Sequence, residues 1–91
     1  MSIDMTDEQL RAAIMEFLRQ KGRWGAHYFP VDTLINWLGR KVKKNGKRVE
    51  RAIKNLVKEG YLFAHKKGGT VSLNPARSRE IYEYIEKNPP N

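Results

Sequence analysis

The stretch that decides the fold is Val49-Glu50-Arg51-Ala52-Ile53-Lys54-Asn55-Leu56-Val57-Lys58-Glu59-Gly60-Tyr61-Leu62. At about 100° per residue, Val49, Ala52, Ile53, Leu56 and Val57 fall on one side of a helix. Lys47, Arg51, Lys54 and Lys58 form a stripe on the opposite side. The spacing predicts a helix over 47–59 with one face for a core and one for an anion. Gly60 is placed to end it, because glycine adopts the left-handed cap without a β-carbon clash. Beyond it, Tyr61 to His65 and Thr70 to Leu73 flank Lys66-Lys67-Gly68-Gly69, which reads as a two-stranded hairpin over 61–73. A lone hairpin is marginal in water, so it must pack on the helices or pair with a further strand.

Working outward, Thr6 and Gln9 have the spacing of a capping box, with Asp7 and Glu8 in the first turn where the helix dipole favours acid. Leu10, Ala13, Ile14, Phe17 and Leu18 make one apolar stripe and Gly22 a stop, so a first helix is expected over 7–21. Arg23-Trp24-Gly25 reads as a turn, and Ala26-His27-Tyr28-Phe29 as one brief strand over 26–29. Pro30 opens a second helix whose buried face is Val31, Leu34, Ile35 and Leu38. That helix ends at Gly39, or runs on through Val42 until Asn45-Gly46 breaks it, so helix and turn together occupy 31–44. Trp37 sits at the border of its buried face and should pack in part. Asn74-Pro75 supplies an N-cap and first-turn proline for a last helix over 75–87, with Ile81, Tyr82, Tyr84 and Ile85 as its apolar residues. The expectation is one α+β domain over 6–87 with flexible tails at 1–5 and 88–91.

The formal net charge is +8, and it is concentrated. Between Arg40 and Lys67 eleven basic residues stand against two acidic ones, whereas the other 63 residues carry a net of −1. Such a segment points to a polyanion. A membrane surface is the weaker reading, since the basic helix needs its apolar face for the core.

No chemistry of catalysis is visible, and no enzyme activity, metal or cofactor is expected. The chain has no cysteine and only two histidines, His27 and His65, without a carboxylate at ligand spacing. Its serines lack a nucleophile elbow, and Lys67-Gly68-Gly69 lies inside a hairpin, not in a phosphate loop after a strand. The absence of cysteine and of an apolar leader suits a cytoplasmic, intracellular protein.

The order helix, short strand, helix, helix, hairpin resembles the winged helix-turn-helix superfamily. The resemblance is carried by Leu34 to Gly39 and by the run from Val49 to Leu62, which looks like that family's recognition helix leading into the first strand of the wing. It spans about Asp7 to Leu73. The connection from Gly39 to Val49 is longer than the family's usual turn and contains Arg40, Lys41, Lys43 and Lys44.

The resemblance implies a sequence-specific or general double-stranded DNA-binding protein, a transcription regulator, with helix 3 in the major groove and the wing on the backbone or minor groove. Arg51 is then the first candidate for a base contact, since arginine donates bidentately to guanine, with Arg48 and Asn55 second. Lys43, Lys44, Lys47, Lys54 and Lys58 would meet phosphates, as would Lys66 and Lys67 at the hairpin tip. Helix 4 is acidic at Glu80, Glu83 and Glu86 and should face away from nucleic acid. It packs on helix 1 of its own chain, or pairs with a second copy through Ile81, Tyr82, Tyr84 and Ile85. Two other classes compete: an RNA- or ribosome-binding protein on the same scaffold, and a protein-interaction module in which Trp37 and the tyrosines make the contact.

Overall fold

The structure is a computed structural model that describes residues 5–40 and 46–89. Its elements are α1 (Asp7–Gln20), β1 (Phe29–Pro30), α2 (Val31–Gly39), α3 (Gly46–Lys58), β2 (Leu62–His65), β3 (Thr70–Leu73), a 3-10 turn (Pro75–Arg77) and α4 (Ser78–Lys87). Among the described residues, four helices and a three-stranded antiparallel sheet of order β1-β3-β2 make a small α+β domain. Among the described residues, no helix is long and apolar enough to cross a membrane.

The helix ends follow from their local sequence. Thr6 and Gln9 form the reciprocal capping box, each side chain bonding the other's amide at 3.0 Å. Gly22 at φ 67° lets its own amide reach the Arg19 carbonyl and the Arg23 amide reach that of Leu18, closing α1. The same arrangement closes α3: Gly60 at φ 87° sends its amide to Val57 O, and Tyr61 sends its amide to Leu56 O. Asn74 caps the last segment by accepting from the Ala76 amide at 3.0 Å, but the first turn after Pro75 is 3-10 and the α-helix proper begins at Ser78.

α1 is the central element, packed against α3, α4 and β3. Leu10, Ile14 and Leu18 are fully buried, as the apolar stripe requires, and so are Ala12 and Met15 on another face. A helix covered on more than one side needs more than one apolar face, which a single-stripe reading misses. Val31, Leu34 and Leu38 of α2 and Val49, Ala52, Ile53 and Leu56 of α3 join the same core. Trp37 lies at the edge, 40% exposed, with its ring 4.6 Å from that of Phe17.

The first strand differs most from expectation. The strand expected over 26–29 is displaced: Phe29 and Pro30 pair with Val71 and Thr70, while Ala26, His27 and Tyr28 loop past. The cause is Gly25, whose φ of 61° turns the chain after Trp24 has bridged Leu73 in parallel. Pro30 has no amide to donate and is tolerated because β1 lies at a sheet edge. α2 stops at Gly39, the first of its two expected ends, with Arg40 already in a turn. A β-carbon on Gly39 would lie 3.7 Å from the Gly46 nitrogen, so the ends of α2 and α3 approach closely across the connection. The continuation through Val42 lies outside the described residues.

Candidate nucleic-acid interface

α3 carries the basic stripe because its other side is already spent on the core. With Val49, Ala52, Ile53 and Leu56 buried, helical geometry turns Lys47, Arg51, Lys54 and Lys58 to solvent, and all four are exposed. Among the described residues, the ion pair on the stripe is weak: Glu50 approaches Lys54 Nζ at 3.5 Å across an exposed i,i+4 pair. The stripe thus keeps its charge available.

The hairpin tip stands beside this stripe. Lys54 and Lys67 line the same cleft of about 400 Å³, whose apolar wall includes Ile35, Ile53, Val57 and Val71. The tip is held in place at its base: the Val31 amide at the start of α2 donates to Gly69 O at 3.0 Å. Within the turn, Gly69 donates to Lys66 O at 3.0 Å and Gly68 to His65 O at 3.2 Å. Lys66 and Lys67 occupy the left-handed region, at φ 53° and 55°, where side chains are disfavoured by their own β-carbons. Both lysines are exposed, so the strained turn presents two cations on a fixed loop.

Arg48, a second candidate for a base contact, is engaged within the protein. Its guanidinium donates to Met5 O at 2.8 Å and to the Asp7 carboxylate at 2.9 Å, tying the start of α3 to the start of α1. At about 100° from Lys47 it lies on the flank of the stripe, within reach of α1. Asp7, which the sequence placed only as a dipole partner, is the residue that claims it. Asn55, on the same flank, remains exposed and lines a recess with Arg51, Arg48 and Glu8. Lys43 and Lys44 lie outside the described residues.

The opposite end of α3 is also tied down. Arg11 donates to the Glu59 carboxylate at 2.6 Å and sits over the Tyr84 ring, 5.4 Å from its centroid. Partial burial works against the Arg11 charge, but the Glu59 hydrogen bond and the nearby tyrosines outweigh it and raise its pKa. Two arginines of opposite roles therefore clamp α3 at its two ends, and neither was legible as a clamp because their partners are 41 and 48 positions away in sequence.

The candidate dimer contacts are corrected in part. Ile81 is fully buried in its own chain, where α4 packs on α1, and so is not available to a second copy. Tyr84 and Ile85 are half-buried against the same core, and burial pushes the Tyr84 hydroxyl above its ordinary pKa. Tyr82 is 48% exposed and flanks Trp24 and Arg19, with centroid distances of 6.0 and 5.9 Å. Comparison of the chain with models of known protein families, with curated proteins and with solved structures finds no match to any of them.

Proposed function

We propose that this is a winged-helix protein that binds double-stranded DNA and acts in transcription regulation, with α3 as the recognition helix and the β2–β3 hairpin as the wing. The reading is supported above all by one observation: the exposed cations of α3 and the exposed lysines of the hairpin tip border a common cleft, through Lys54 and Lys67. A helix of 13 residues spans about 20 Å and fits the major groove of B-DNA. Lys47, Lys54 and Lys58 then lie along phosphates, and Lys66 and Lys67 meet the backbone or minor groove beside the helix. Arg51, exposed between them, is the base-reading side chain.

Competition decides between this reading and RNA recognition. Labelled duplex DNA is displaced by unlabelled duplex DNA, duplex RNA or single-stranded RNA at one fixed salt concentration. Duplex DNA should compete best, and log K should fall with log salt at a slope of roughly −5 to −7 if six to eight charges meet phosphates. Equal or better competition by RNA, or a binding constant indifferent to salt, overturns the proposal.

A further inference from the structure

The outer face of the sheet gathers three rings. Strand alternation puts Leu62 on the core side, where it is buried, and Ala64 opposite the buried Val71. Phe63 and His65 therefore point the other way. Their partners on β3 are Ser72, which is buried and donates to Gly25 O at 2.6 Å, and Thr70, and Tyr28 reaches across the central strand beside them. Tyr28 stacks on His65 with centroids 4.7 Å apart and planes at 21°. His65 is exposed and Phe63 is 40% exposed.

A single exposed ring on a small domain requires no explanation. Here an exposed phenyl and an exposed imidazole held flat by Tyr28 share one strand, and that strand runs directly into Lys66 and Lys67. None of the residues that line this face, Tyr28, Phe63, His65 and Thr70, carries a carboxylate.

We infer that this face stacks an unpaired nucleobase from a strand whose phosphates lie on the tip lysines. Flat rings beside cations are the combination that holds single-stranded nucleic acid without regard to sequence, because every base has a π-face. The charge of the chain favours that occupant over a second copy, which at +8 on each partner must approach against repulsion. The inference rests on the proposed DNA reading and extends it from the paired duplex to its unpaired margin.

The test uses the full chain, a blunt duplex, and the same duplex carrying a short unpaired overhang with a fluorescent adenine analogue. Both should bind, the overhang should raise affinity about five-fold or more, and the analogue should be quenched. Phe63→Leu, checked for fold by circular dichroism, should abolish the gain and the quenching and leave blunt-duplex affinity unchanged, and Phe63→Tyr should restore both. Tight binding of the blunt duplex with no overhang gain, or quenching that survives Phe63→Leu, overturns the inference while the DNA reading stands. Sedimentation showing a dimer dispersed by Phe63→Leu overturns it too, because a second copy then covers the face. Failure of both duplexes to bind overturns the DNA reading itself.

Discussion

The Arg48 guanidinium bonds the Asp7 carboxylate at 2.9 Å and the Met5 carbonyl at 2.8 Å, so a cation of α3 is held by the start of α1. These contacts favour a structural role for Arg48. Arg48→Ala should cost about 1 kcal/mol, a fall in Tm of roughly 4–8 °C for a domain this small. The slope of log K against log salt should stay as in the wild type. A slope reduced by about one unit in Arg48→Ala would instead place this side chain on a phosphate.

Arg51 and Lys58 share the stripe but should respond differently to truncation. Arg51→Ala should lose about 1–3 kcal/mol of discrimination at one base position, read by binding selection from a random duplex library. Lys58→Ala should weaken every sequence alike and reduce the salt slope by about 0.9. Identical effects in the two variants would mean that neither reads a base.

Lys66 at φ 53° stores strain at the tip of the hairpin. Lys66→Asn, whose side chain tolerates the left-handed region, should raise stability by up to about 1 kcal/mol in thermal or urea unfolding. The same variant should bind duplex DNA more weakly with a shallower salt dependence. Stability and binding moving together, in either direction, would count against a strained phosphate contact.

Gly60 closes α3 at φ 87°, and a β-carbon there would lie 3.0 Å from Arg77 Nη1. The guanidinium end of Arg77 can swing aside, so the backbone conformation sets the cost. Gly60→Ala should destabilise by about 1–2 kcal/mol. The companion Gly22→Ala, with nothing near its β-carbon position, should isolate the backbone component and come out similar.

Glu16 should contribute to the pH dependence of stability. Its hydrogen bond from Arg19 lowers its pKa against the opposing effect of burial, with the Arg19 charge and Gln20 helping. A carboxylate depressed on folding stabilises fully above its unfolded pKa, and that stabilisation is lost as pH falls through the folded value. Wild type should therefore lose stability relative to Glu16→Gln as acid is added below the ordinary carboxylate range, and the gap should be small because the pair is partly exposed. Melting curves at neutral pH and in acid check the sign.

How much was legible is clear from particular residues. The capping box at Thr6 and the stops at Gly22 and Gly60 are contained within a few neighbouring positions, so local pattern reads them correctly. The stripe of Lys47, Arg51, Lys54 and Lys58 is equally local, since helical period alone opposes it to Val49, Ile53 and Leu56. Local pattern puts the strand three residues before Phe29 because nothing within the segment reveals that Trp24 and Gly25 first bridge Leu73. Met15 and Ala12 were missed because the sequence of α1 does not say how many neighbours will cover it.

By itself, then, the sequence determined the helices, the hairpin and the segregation of positive charge, because capping, period and turn chemistry act over a few residues. Tertiary structure alone decided which of those charges remain free. Arg48 was claimed by Asp7, Ile81 was taken into the core beneath α4, and Tyr28 was laid across β3 onto His65. Each outcome depends on residues far apart in the chain brought within a few ångströms, and hydrogen bonds and packing of that range leave no periodic trace.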